Sequence, residues 1–192
     1  MNIAVFVSGN GTNLQAIIDA VSHGKINTKI ALVISDNKDA YALTRAKEAS
    51  IETFVLSPKG FKTREDYDKE IIKELQKRNV ELVVLAGFMR LVSPYFVKEY
   101  NNRIINIHPS LLPAFKGTHG IKDAFESGIK TTGVTVHFVD SELDHGPIIL
   151  QEAVKISEND TLESLEKRIH EVEHRLYPKA IKMFVDGKIV IE

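Results

Sequence analysis

The chain has 192 residues, 25 Lys and Arg against 26 Asp and Glu, 7 His and no Cys, for a formal net charge of −1. That near balance removes the electrostatic case for nucleic acid or an anionic membrane as a general partner, and the lack of Cys removes disulfides, thiolate nucleophiles and cysteine metal sites. The length suits one sizeable core, so a single domain over residues 1–192 is expected; neither a signal peptide nor a membrane span is legible, so the expected setting is soluble and cytoplasmic.

Along the chain, short apolar runs alternate with amphipathic stretches. NIAVFVS reads as a strand buried on both faces, ending at the turn GNG. LQAIIDAVSHG follows with Leu14, Ile17, Ile18 and Val21 at helical spacing and Gly24 as its stop. KIALVIS is a second strand, AYALTRAKEA a second helix and ETFVL a third strand; TREDYDKEIIKELQKR is a charged helix with Ile71, Ile72 and Leu75 as its inner stripe. ELVVLAG and IINIHP are the next strands, with a helix around DAFESG after the second. GVTVHFV and GPIILQEAVKI are separated by only a short loop and can pair antiparallel. The last helix, TLESLEKRIHEVEHRLYPKAIKMF, contains Pro178, so a kink or break is expected near Tyr177. This rhythm predicts an α/β, Rossmann-like, mostly parallel sheet with helices on both faces and an antiparallel strand toward one edge. In such sheets ligands bind beyond the carboxyl ends of the strands, which directs attention to SGNGTN, AGFMR, NIHPS and VDSELDHGP.

SGNGTN opens the first helix, and the N–H groups of Gly11, Thr12 and Asn13 with the positive helix end make a seat for phosphate. Leu14 stands where the dinucleotide fingerprint wants a third glycine, and a purely structural turn with a Thr or Asn cap is the rival reading. AGFMRLVS offers apolar side chains around Arg90 and free backbone groups, suited to a flat heterocycle, although such runs usually belong to a core. In IINIHP, Asn106 and His108 lie two apart and project from one strand face. An imidazole such as that of His108 can donate or accept a proton in catalysis, and Asn106 can hydrogen-bond a developing oxyanion; Asp144, in a later loop, is the acid that can support the imidazolium. Both polar residues being merely satisfied by backbone is the alternative. His137 in TVHFVD reads as a satisfied core histidine. HEVEH at residues 170–174 matches the two-histidine zinc pattern, but Tyr177 and Ala180 occupy the positions of the extended motif, leaving only Glu192 downstream as an acid; no metal is expected.

Taken together, VSGNGTNLQA, AGFMRLVS, INIHPSLLPAFKG, GVTVHFVD, LDHGPII and the EVEH helix resemble the folate-dependent phosphoribosylglycinamide formyltransferases over essentially the whole chain. The resemblance implies the formyltransferase fold, with Asn106, His108 and Asp144 catalytic. It implies that Gly11, Thr12, Asn13, His170, Glu171, Val172 and Glu173 meet glycinamide ribonucleotide. Arg64, Met89, Arg90, Leu91, Val92, Asn106, Asp140, Ser141, Glu142, Leu143 and Asp144 would line the pocket for the co-substrate 10-formyltetrahydrofolate. Thr12 replaces the family's commoner serine but keeps the hydroxyl; Lys116 replaces a frequent proline and bears on the rigidity of its loop. The implied reaction is direct attack of the ribonucleotide amine on the formyl carbon, without covalent enzyme intermediate or metal, by a monomer or homodimer. A formyltetrahydrofolate deformylase, a methionyl-tRNA formyltransferase and a non-enzymatic phosphosugar-binding module are the rivals; the first two would need additional domains.

Overall fold

Why the apolar runs become strands is visible in their burial: β1 (Asn2–Val7), β2 (Lys29–Ser35) and β4 (Leu82–Leu85) are covered on both sides along almost their whole length. A computed structural model describes residues 1–189. With β3 (Thr53–Val55), β5 (Ile104–His108), β6 (Thr131–Phe138) and β7 (Ile148–Lys155), these strands form one 7-stranded sheet in the order β3-β2-β1-β4-β5-β6-β7. Only β6 is reversed: it pairs antiparallel with both β5 and β7, and every other pairing is parallel. The helices are α1 (Thr12–Ser22), α2 (Tyr41–Glu48), α3 (Arg64–Lys77), α4 (Pro94–Glu99), α5 (Gly120–Glu126) and α6 (Leu162–Val185). None of the described helices is long and apolar enough to cross a membrane.

Alternation along the strands divides the core in two. Ile3, Val5, Ile105, Ile107, Val134, Val136 and Phe138 face the layer built from α1, α2 and α6. Ala4, Phe6, Leu32, Ile34, Val83, Leu85 and Ile104 face α3 and α4 on the other side. That second layer reaches β5 only at Ile104, its amino end. Asn106 and His108 share the face of Ile104, and His137 and Thr135 are their partners on β6. Here the segments 109–119 and 139–147 stand in place of a helix: Leu112 N–H donates to Thr135 Oγ1 at 3.1 Å, and Val139 packs on the α3/α4 core. The polar strand residues thus emerge where the helical cover stops.

Two expectations need correction. Of the kink or break expected near Tyr177, the break does not occur, because α6 runs continuously through Pro178. Proline removes the N–H that would bond to His174 O, but Leu165, Ile169, Val172, Leu176, Ala180 and Ile181 bury one continuous stripe. Tyr177, fully buried, also anchors this turn with its hydroxyl 2.8 Å from Leu85 O and 2.9 Å from Ile105 O. The second correction concerns VDSELDHGP as an exit at the ligand-binding edge. Because β6 is reversed, its exit lies beside the start of β5, with Val139 N–H donating to Ile104 O at 2.9 Å. The loop must fold back over the sheet face to bring Asp144 to His108.

Candidate active site

The first turn is built on a glycine for two physical reasons. Gly11 has φ 76, and a Cβ there would lie 2.5 Å from Ala42 Cβ and 2.9 Å from Ala42 Cα, inside van der Waals contact. Helix α1 begins at the next residue, and no side chain caps it, so the rival reading of a Thr or Asn cap is not realised. The N–H groups at this end therefore keep their capacity for an anion. Arg45 on α2 braces the turn, donating from Nε to Asn10 O and from Nη2 to Asn10 Oδ1, both at 2.9 Å.

Glu173, only 5% exposed, reaches this turn from α6. Its Oε2 accepts from Asn13 Nδ2 at 3.2 Å and from His170 Nδ1 at 2.9 Å. The hydrogen bond that His170 donates to Glu173 raises the His170 pKa, over the opposing effect of burial. Of the run 170–173, Glu173 meets the turn and His170 reaches it only through Glu173; Val172 lies in the core and Glu171 is exposed on the surface, as helical geometry requires of intervening positions. Asn13 Oδ1 and His174 Nε2 are buried nearby without hydrogen-bond partners. His170 and His174 stack their rings, centroids 6.4 Å apart, and His170 has engaged Nδ1 with Glu173; Glu192 lies outside the described residues.

At the end of β5, His108 is 4% exposed but not sealed in an apolar interior. Its Nε2 is 2.7 Å from Phe115 O and its Nδ1 3.5 Å from Asp144 Oδ2. Both nitrogens face oxygen acceptors, and only the imidazolium can donate to both. Asp144 is itself held by Gly117 N–H, which donates to Oδ2 at 2.8 Å, while Oδ1 lies 3.8 Å from His137 Nε2.

His137 is the satisfied core residue its sequence context suggests, and one of its partners is Asn106. It is 1% exposed, and its Nδ1 must donate to Phe138 O at 2.8 Å, which leaves Nε2 as an acceptor. Burial is the largest influence and lowers its pKa, outweighing the hydrogen bond to Phe138 and the charge of Asp144. A neutral ring with that tautomer accepts from Asn106 Nδ2 at 3.2 Å and so fixes which way the amide points. The second amide N–H of Asn106 has no hydrogen-bond partner among the described residues. The available signal was register: His137 pairs directly with Asn106 across β5 and β6.

Past β4, Met89 is 70% and Leu91 50% exposed, while Val92 packs against the α3/α4 core. Arg90 stacks its guanidinium on the Tyr67 ring, 4.9 Å from the centroid. Arg64, at the start of α3, is exposed; it and Arg90 both draw down the Asp68 carboxyl, whose pKa burial nevertheless raises. In the 139–147 loop, Ser141, Glu142 and Leu143 are exposed, and Asp140 accepts from His145 Nδ1 at 2.7 Å and from Glu142 N–H at 2.9 Å. This clamp shapes the hairpin that carries Asp144. The structure therefore joins Asn106, His108 and Asp144 into one centre and Gly11, Asn13, His170 and Glu173 into another.

Comparison with known proteins shows the family. A family model described as formyl transferase matches residues 1–181. The phosphoribosylglycinamide formyltransferase of Escherichia coli is 47% identical over 189 residues, covering 98% of this chain and 89% of that protein. The trifunctional purine biosynthetic protein adenosine-3 of Chironomus tentans is also 47% identical over 189 residues, which span 97% of this chain but 14% of that much longer protein. The crystal structure of glycinamide ribonucleotide transformylase 1 from Symbiobacterium toebii superposes with a TM-score of 0.97 at 48% identity, covering 100% of this chain and 91% of that one. By its sequence and its fold, the chain belongs to the formyl transferase family.

Proposed function

We propose that this protein transfers the formyl group of 10-formyltetrahydrofolate to the amine of 5'-phosphoribosylglycinamide, a step of purine biosynthesis, as one formyltransferase domain over residues 1–192. The observation that carries the reading is the Asn106–His137 and His108–Asp144 pair of contacts at the end of β5. The uncapped turn at Gly11, with Asn13, His170 and Glu173 beside it, supports a phosphorylated sugar as acceptor, and the Met89, Arg90, Leu91 and Val92 segment with residues 140–144 supports a flat folate as donor. Relatives with this specificity extend over nearly the whole chain.

In this reading the amine attacks the formyl carbon, and a new C–N bond forms as the carbonyl oxygen becomes an oxyanion. Asn106 donates its free amide N–H to that oxygen, a contribution of about 3 kcal/mol for one well-placed donor. His108 donates from Nε2, which requires the substrate oxygen to replace Phe115 O. Asp144 stabilises the imidazolium across Nδ1. Collapse of the intermediate breaks the bond to N10 of the folate, and the proton lost by the amine reaches N10 through Asp144 and a water. Positioning two reactants in attack geometry supplies much of the remaining acceleration. No step needs a metal or a covalent enzyme intermediate. We place the enzyme in the cytoplasm as a monomer or homodimer with small-molecule partners. Assaying folate product from 10-formyltetrahydrofolate with and without the ribonucleotide tests the proposal: product that forms equally without acceptor would make the protein a hydrolase.

A further inference from the structure

Ser8 leaves β1 immediately before the phosphate turn, and its hydroxyl is engaged twice. Oγ donates to Asp36 Oδ1 at 2.7 Å and accepts the backbone N–H of Met89 at 2.9 Å. A carboxylate only accepts, so Asp36 takes the single hydroxyl proton and turns the oxygen lone pairs toward Met89. The exit of β2 frames the same residue, with Asn37 Nδ2 donating to Ser8 O at 3.3 Å. At the far end of the segment, buried Asp68 on α3 accepts the N–H of Ser93 at 2.6 Å. Between these two pins the side chains of Met89 and Leu91 are exposed. Without burial to shape them, such residues take their backbone path from the hydrogen bonds at the ends.

We propose that Ser8, oriented by Asp36, is a positioning residue for the formyl-donor site: its hydroxyl sets the segment that receives the folate ring from the residue that begins the phosphate turn. The inference rests on the reading that Met89, Arg90, Leu91 and Val92 line that site. One residue then stands directly before the acceptor turn and lends its hydroxyl to the donor segment, which fixes the offset between the two substrates.

The test uses Ser8→Ala and Asp36→Ala, with Leu91→Asp as a control for the donor site, and measures Kd for 10-formyltetrahydrofolate by calorimetry, kcat, KM for both substrates and the unfolding midpoint. Losing one hydrogen bond of ordinary strength raises the donor Kd and KM roughly three- to tenfold in both pin variants. KM for the ribonucleotide and kcat at saturating donor stay within about twofold, since neither reacting group is touched. Donor affinity unchanged in Ser8→Ala, with Leu91→Asp strongly weakened, overturns the role of Ser8 alone. Donor affinity unchanged in Leu91→Asp as well overturns the donor-site reading together with it. Equal weakening of both substrates alongside a lowered midpoint also overturns the proposal, because it makes the hydroxyl a structural support only.

Discussion

Replacing Asp144 by Asn removes a charge from the centre with little change of shape. Asp144 has φ 48, a left-handed conformation in which Asn is among the best tolerated residues after Gly, whereas Ala there would add strain. The Asn side-chain oxygen can still accept from Gly117 N–H, so the hairpin is expected to hold. What is lost is attraction between a carboxylate and an imidazolium whose nearest atoms are 3.5 Å apart. Unit charges about 4 Å apart interact by about 4 kcal/mol at an effective dielectric of about 20. If about 2–4 kcal/mol of that supports the transition state, kcat falls roughly 30- to 1000-fold. Kd for the ribonucleotide should barely move, because the seat proposed for it, around Gly11, Asn13, His170 and Glu173, does not include Asp144. Initial rates of folate product at saturating substrates, with calorimetric binding of the ribonucleotide, give both numbers. A correctly folded Asp144→Asn enzyme with kcat within about threefold of wild type would refute the assigned role.

His108→Ala should follow the same pattern, a large fall in kcat with ribonucleotide binding nearly preserved, measured in the same assay. Gly11→Ala should lower stability by about 2 kcal/mol or more, from positive φ and the overlap with Ala42 together, and should weaken the ribonucleotide more than the folate; denaturant unfolding and the two Kd values check this. His170 should titrate above 6.5 by NMR and return toward it in Glu173→Gln. Because its folded pKa is raised, the stability that this pair contributes is fully present below the unfolded pKa and is lost as pH rises through the folded one; half exposure of His170 keeps the effect small. Tyr177→Phe leaves buried Leu85 O and Ile105 O without their shared donor and should cost about 1–3 kcal/mol in urea unfolding with an unchanged m-value.

The parallel half of the sheet was legible because strands covered on both faces are continuous apolar runs, as in NIAVFV and LVVL. Helix α4 was overlooked although Ser93 and Pro94 announce it: Ser93 Oγ accepts from Phe96 N–H at 3.2 Å, and Pro94 sits where a missing N–H costs nothing. Pro178 does not end its helix, since a local rule yields when a whole buried stripe and the Tyr177 anchor hold the helix on the sheet. His137 is the buried, satisfied histidine its context suggests, and what the sequence did not show is its contact with Asn106. Single-residue inspection cannot show that, but the pairing register of β5 with β6 does.

The reversal of β6 explains why the acid comes from a loop that begins at the far end of the sheet. In a wholly parallel sheet, a loop leaving β6 would emerge beside His108 and compete with the 109–119 segment for the same space. Reversal sends the chain out beside Ile104, and the return path crosses the face that α3 and α4 leave open. Asp144 then approaches His108 from the side, with His137 beneath the other carboxylate oxygen and the Gly117 N–H holding the first. The carboxyl ends of β1 and β4 remain free for the phosphate turn and the Met89 segment. A polar Asn and His in an otherwise apolar strand are tolerated because this face is walled by loops with hydrogen-bonding partners instead of by a helix.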